Sequence, residues 1–209
     1  MKELDLLKKD WQKNNAFEQV SELEIYKMLH QKSSSIVKWI FIISILEILL
    51  WTSISLFFNT DEYLKNTKYD EFSMYFQGLN FFNYGVILVF IYLFYKNYVL
   101  ISTTVSTKQL MKDILKTRKT VQCYVWYNLG MATLSLLFGF FIAFTSNPEV
   151  MVLSDKIAND GKVMAITIGI LILTITIFLC IFWLFYKLLY GILLKKLYRN
   201  YNELKKIDL

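Results

Sequence analysis

The sequence predicts an all-α protein with four transmembrane helices and helical extensions on one side of the membrane. Its four long apolar stretches are comparable to the about 20 residues that span a bilayer core; they are residues 36–58, 81–101, 123–144 and 163–186. The composition agrees, because 56% of the residues are hydrophobic and one residue is proline. Inside lipid the backbone must satisfy its own hydrogen bonds, so each stretch is expected to be a helix.

The placement of basic residues predicts the orientation of these spans. Lys and Arg number seven in residues 1–38, six in 96–120 and six in 187–209, against four in the two remaining loops. Because basic residues favour the cytoplasmic side, both termini are expected inside, in the inner membrane of a bacterium. The same rule explains the net charge of +6, so we expect a lipid-embedded protein with no direct binding of nucleic acid.

Residues 1–35 are expected to form a cytoplasmic segment of two short helices. The first helix places three apolar side chains on one face: Leu4, Leu7 and Trp11. The second starts at a capping box of Ser21 and Glu24 and runs to about Ser33.

Both of these helices carry an apolar ridge that needs a cover. The ridge of the second helix consists of Ile25, Met28 and Leu29. A surface helix has little reason to carry such a ridge unless another surface packs on it. The cover is either the C-terminal helix of the same chain or a soluble partner protein. We favour the partner, with Trp11 as an anchor, because buried aromatic residues dominate interface energetics.

The first span carries one ionisable residue, Glu47, near its centre. Such a residue costs several kcal/mol when unpaired and is a functional-site candidate by default. Lys96 in the second span and Asn128 in the third lie at similar depths, so the three are expected to form a polar cluster. The cluster fixes helix register through an ion pair, or it lines a proton or ion pathway, or Lys96 snorkels to the interface without a partner.

Two spans are predicted to continue as helices beyond the membrane. No Gly or Pro interrupts the chain between Ile101 and Lys119, which favours an extension of the second span. Residues 187–209 extend the fourth span and carry a heptad seam, which consists of Tyr190, Leu194, Leu197, Tyr201 and Leu204. We expect this seam to pack on the extension of the second span.

The third span carries a ridge of small residues at four-residue spacing: Ser135, Gly139 and Ala143. Such a ridge permits close helix approach, either within the bundle or in a homodimer. The bundle is the favoured interpretation, because any four-helix bundle needs such faces.

The sequence contains no pattern typical of catalysis or of metal binding. His30 is the single histidine, and the chain has no glycine-rich phosphate loop and no paired-cysteine zinc motif. We therefore expect no enzymatic activity, no cofactor and no metal site.

Three N-terminal segments, Leu6–Lys13, Glu24–His30 and Ser33–Ile40, resemble the opening of an uncharacterised family of small four-span bacterial membrane proteins. Some members carry a carotenoid oxygenase label, which implies an iron held by four histidines. A chain with one histidine does not fit that label.

The layout is also similar to that of membrane anti-sigma factors, in which a short cytoplasmic helical segment sequesters a sigma factor. The zinc-binding pattern of one anti-sigma class and a large external sensor domain are both missing. The sequence thus favours a non-enzymatic membrane regulator that binds a soluble cytoplasmic protein, most specifically a sigma factor. The alternative is a small transporter, channel or accessory subunit that uses Glu47 and Lys96.

Overall fold

The computed structural model describes residues 21–57, 70–146, 157 and 159–207, and these residues form long helices with no strand. The helices are α1 (Glu22–Phe57), α2 (Asp70–Thr103), α3 (Thr107–Ser146), α4 (Gly161–Tyr186) and α5 (Ile192–Ile207). A short π-helical segment, Lys187–Gly191, joins α4 to α5. Four helical stretches are long and apolar enough to cross a membrane, which confirms the predicted fold class.

The start of α1 is encoded locally, as predicted. The Ser21 backbone N–H donates to the Glu24 carboxylate at 3.1 Å, and the Glu24 N–H donates to the Ser21 hydroxyl at 3.3 Å. The helix then runs without interruption for 36 residues, so the predicted end near Ser33 is not a boundary. No Gly or Pro lies between Ser33 and Phe57 to stop it.

The second span does not extend to Lys119, and that prediction is wrong. Helix α2 ends at Thr103, Thr104–Ser106 are not helical, and residues 107–119 instead begin α3. The break lies in a run of threonine, valine and serine, whose helix propensities are below those of Leu, Lys and Gln. Helices α2 and α3 therefore form a hairpin whose turn lies at the same end of the molecule as the start of α1 and the end of α5. We call this end the termini end.

Side chains fix this turn from both sides. The Thr104 hydroxyl donates to the buried Asp113 carboxylate at 3.0 Å, and the Gln109 amide donates to its other oxygen at 3.1 Å. From α1, the Tyr26 hydroxyl donates to the Thr104 carbonyl at 3.0 Å. The bond from Tyr26 gives the Thr104 carbonyl a partner that the break in the helix removes, and the bond from Thr104 to Asp113 ties the turn to α3.

The heptad seam of the C-terminal helix lies in the core of the termini end. Leu197 and Leu204 are fully buried and pack with α1 and α3 residues, among them Leu29, Leu110 and Ile114. The predicted seam is thus a packing surface, but much of the surface it covers belongs to α1 and to the start of α3. A buried hydrogen bond of 3.1 Å from the Asn200 amide to the Ser33 hydroxyl fixes how α1 and α5 align along each other.

Packing loosens toward the opposite end of the helices, where α1 ends and α2 begins. In α1 the buried residues that the structure describes run from Leu29 to Glu47, and in α2 they start at Phe94. The most apolar 18-residue window of α4 contains no buried residue. The helices are therefore closely packed at the termini end and leave open space between them at the other.

Among the described residues, the small-residue ridge of α3 is not packed against another helix at Ser135 and Gly139. Ser135 and Gly139 are exposed, and a Cβ added at Gly139 would have no neighbour within 4 Å. The prediction of an internal contact here is wrong, because the ridge belongs to the loosely packed half of α3. Its use in a homodimer stays a prediction.

Candidate functional site: a buried carboxylate at the floor of a cleft

Glu47 is the centre of the candidate site. Its side chain is 4% exposed although it lies in the middle of an apolar helix. Two phenols satisfy the carboxylate: the Tyr186 hydroxyl donates to Oε1 at 2.6 Å and the Tyr190 hydroxyl donates to Oε2 at 2.8 Å. These short O–H···O contacts are typical of charge-assisted hydrogen bonds.

The junction of α4 and α5 positions both tyrosines. Tyr186 ends α4, and Tyr190 lies in the π-helical segment one turn later. Residues four apart share a helix face, and the two rings stack with centroids 6.2 Å apart and planes 17° apart. A π-helical turn is rare and is frequently found at functional sites. Here the π-helical segment contains Tyr190, which hydrogen-bonds Glu47.

A third tyrosine closes the site from α3. The Tyr124 ring meets Tyr186 edge-on at 6.4 Å and Tyr190 edge-on at 5.9 Å, and Phe90 and Phe94 of α2 pack against it at 5.3 and 5.4 Å. Edge-to-face pairs of this kind stabilise by about 0.5–1.5 kcal/mol each beyond the area they bury. The Glu47 carboxylate thus contacts a cluster whose aromatic residues come from α2, α3, α4 and the π-helical segment.

Above Glu47 the helices enclose a cleft of about 240 Å³. Five aromatic residues line it: Trp51, Tyr84, Tyr124, Phe182 and Tyr186. Its neutral polar residues are Asn80, Asn83, Asn128 and Ser135, and Glu47 is the one charged residue among the described residues that line it. We call this space the Glu47 cleft.

The Glu47 cleft runs from the carboxylate toward the open end of the bundle. Ser135 is one of its lining residues and lies eleven positions after Tyr124 in α3, which is about 16 Å along a helix axis. Trp51, Tyr84 and Ser135 are all exposed, so the upper part of the cleft is accessible from outside the protein. Tyr190 does not line the cleft and holds Glu47 from the termini side.

The predicted ion pair between Glu47 and Lys96 is wrong. Lys96 is exposed, and among the described residues no ion pair involves either side chain. The buried neighbour is Asn97, whose amide donates to the Thr120 hydroxyl at 3.2 Å. Successive residues point 100° apart around a helix, so Lys96 points outward when Asn97 points into the bundle. An exposed lysine with a long apolar stem matches the alternative of a snorkelling Lys96.

Asn128 does lie beside Glu47, as a lining residue of the same cleft. Its amide donates to the Tyr124 carbonyl at 2.9 Å, one turn earlier in α3. The predicted cluster is therefore reduced to Glu47 and Asn128, joined by tyrosines.

The structure also corrects the predicted partner-binding ridge of α1. Leu29 is buried in the core of the termini end, and Ile25 packs against that core. Neither side chain is available to a partner, because the chain's own C-terminal helix takes part in covering them. Met28 is 45% exposed and stays accessible. The predicted ridge of Leu4, Leu7 and Trp11 lies outside the described residues.

Sequence reasoning missed the three tyrosines that surround Glu47. Tyrosine is common at membrane interfaces, and Tyr186 and Tyr190 lie where the fourth span is expected to leave the bilayer. Their spacing of four is also a heptad spacing, which concealed a polar role. The available signal was that a buried Tyr hydroxyl needs a partner and that Glu47 was the one acid in a span.

Residues 23–209 match a family described as Domain of unknown function (DUF8845). The chain belongs to this family. The DUF8845 match includes every residue of the Glu47 cleft and begins after Leu4, Leu7 and Trp11. No curated protein and no solved structure matches the chain. Among the described residues, no group of three or more His, Cys, Asp and Glu side chains is placed to hold a metal ion.

Proposed function

We propose that this DUF8845 protein is a membrane protein that binds a small solute in the Glu47 cleft, as a small transporter or as the solute-binding subunit of a membrane complex. The observation that carries the proposal is a buried carboxylate at the floor of an accessible cleft. A carboxylate kept only for packing would be costly here, since an apolar residue of the same size avoids the desolvation of the charge.

The hydrogen bonds to Glu47 leave the carboxylate able to bind a ligand. Two phenols occupy one position on each carboxylate oxygen, and the phenol of Tyr124 also interacts with Glu47. A carboxylate offers about four acceptor positions, so about one remains for a ligand. Tyr186 borders the cleft while Tyr190 does not, so the carboxylate is held from below and approached from above.

The distribution of basic residues supports an orientation for this site. With the termini end in the cytoplasm of a bacterium, the Glu47 cleft opens toward the outer side of the inner membrane. A solute from outside then meets Asn80 and Tyr84 before it meets Glu47. The apolar exposed surface of α4 faces lipid in this arrangement.

The test is ligand-dependent thermal stability of the purified full chain across a panel of cationic, anionic and neutral solutes. A ligand that binds the folded state raises Tm by mass action. The matched variants are Ala132→Trp, which fills the cleft, and Ala165→Trp, which adds the same ring on exposed α4. We expect a solute that raises Tm of the wild type and of Ala165→Trp but not of Ala132→Trp. A panel in which no solute does so contradicts the proposal.

A second proposal keeps the regulator function for the N-terminal segment. Leu23 and Met28 are exposed at 69% and 45% on the part of α1 that adjoins residues 1–20. Each is an exposed apolar side chain that a soluble protein such as a sigma factor can contact, with Trp11 and Leu7 as the predicted anchors. Two-hybrid assays against the sigma factors of the same cell test it. Binding that survives Leu7→Ala with Trp11→Ala, or no binding at all, contradicts it.

A further inference from the structure

We propose that the solute of the Glu47 cleft is a small organic cation of the quaternary ammonium class, held between the Glu47 carboxylate and the aromatic walls. The inference rests on the proposed solute-binding function and adds the chemical class of the ligand. Charge, wall composition and volume each support it.

The charge of the site is unbalanced. Glu47 is nearly fully buried, and the described residues that line the cleft include no Lys, Arg or His to neutralise it. The phenols of Tyr186 and Tyr190 donate hydrogen bonds but carry no positive charge. A buried charge without a counter-charge costs several kcal/mol, and a bound cation removes that cost. An anionic ligand would add to that cost, because like charges repel.

The walls suit an organic cation better than a metal ion. Trp51 and Phe182, which both line the cleft, stack with centroids 5.6 Å apart and planes 26° apart. Tyr84, Tyr124 and Tyr186 add three further rings. Aromatic rings around a carboxylate attract alkylammonium groups through cation–π interactions, whereas hard metal ions need several oxygen ligands.

The volume of the site narrows the class to a small solute. About 240 Å³ lies below the roughly 300–1,000 Å³ of pockets that hold drug-sized ligands.

The test measures equilibrium binding of radiolabelled choline, a small quaternary ammonium probe, to the full chain in a maltoside detergent. Its uncharged carbon isostere 3,3-dimethylbutan-1-ol is the competitor that separates charge from shape. We expect choline to bind and the isostere to compete at least tenfold more weakly. Equal competition would overturn the inference, since shape alone would then explain binding.

Two pairs of variants locate the bound probe. Glu47→Gln is expected to weaken choline binding at least tenfold, while Glu203→Gln, at a half-exposed acid of α5 that pairs with Arg199 outside the cleft, leaves it unchanged. Trp51→Leu is expected to weaken it severalfold, while Trp126→Leu, at an exposed tryptophan outside the cleft, does not. Trp51→Leu keeps Glu47 in place, so it reports on the site even if Glu47→Gln lowers stability.

The outcomes separate this inference from the proposed function. A neutral or anionic solute that stabilises the wild type but not Ala132→Trp leaves the proposed function standing and overturns the cation class. Choline binding that is indifferent to Glu47→Gln and Trp51→Leu overturns the inference by placing the probe elsewhere. Absence of choline binding overturns it as well.

Discussion

Removal of the Tyr190 hydroxyl tests how strongly the termini side of the site holds Glu47. Tyr190→Phe keeps the ring, its stacking on Tyr186 and its packing in the core, and deletes the 2.8 Å hydrogen bond to Glu47. Hydrogen bonds to charged groups contribute about 1.5–3 kcal/mol. In a protein of 150–250 residues each kcal/mol shifts Tm by about 2–4 °C, so we expect Tm to fall by about 3–12 °C.

The assay is thermal unfolding of the purified protein in one detergent at fixed pH and concentration. Tyr198→Phe is the matched control, because Tyr198 is exposed at 43% and its ring contacts to Tyr201 and Arg118 do not need the hydroxyl. We expect a change of less than about 0.5 kcal/mol for the control, as for surface substitutions generally.

A double-mutant cycle identifies the partner of that hydroxyl. In a Glu47→Gln background the lost bond is between neutral groups and contributes only about 0.5–1.5 kcal/mol. The cost of Tyr190→Phe should therefore be smaller there than in the wild type. Equal costs in both backgrounds, or a fall in Tm no larger than that of Tyr198→Phe, would refute the account of Glu47 as the acceptor of this hydrogen bond.

Two further predictions concern packing and topology. Leu29→Ala should lower the free energy of unfolding by about 2–5 kcal/mol, because Leu29 is buried in the core of the termini end. Met28→Ala, at an exposed position, should change it by under about 1 kcal/mol. Similar losses for the two variants in thermal or denaturant unfolding would mean that the α1 ridge is not internal. In a cysteine-free background, a cysteine at position 65 should react with an impermeant thiol reagent added from outside, and a cysteine at position 112 should not. The reason is that basic residues favour the cytoplasmic side. The reverse labelling pattern would overturn the orientation.

The fold was predictable where a single local signal decides it. Four apolar stretches have no other stable arrangement in lipid, and the Ser21–Glu24 capping box acts within one helical turn. The break after Thr103 was not predictable in this way. It contains no Gly or Pro, and its stability comes from Tyr26 and Asp113, which are distant in sequence or belong to the next helix.

The site was predictable in its central residue but not in its partners. A lone acid in a span singles out Glu47, whereas its partner depends on the rotation of each neighbouring helix. A change of one position separates the exposed Lys96 from the buried Asn97. The prediction paired Glu47 with Lys96 by depth along the span, and depth alone cannot distinguish Lys96 from Asn97. The hydrogen bonds from Tyr186 and Tyr190 join residues 139 and 143 positions apart.

Direct location of a bound cation tests the central claim that the Glu47 cleft is a cation site. Arsenocholine replaces the ammonium nitrogen of choline by arsenic, whose anomalous scattering marks the position of the charge in crystals of the full chain. The account predicts one anomalous peak within about 6 Å of the aromatic ring centroids of the cleft, the range of a cation–π contact, and against the Glu47 carboxylate. A peak outside the cleft, or an empty cleft at saturating arsenocholine, would contradict it.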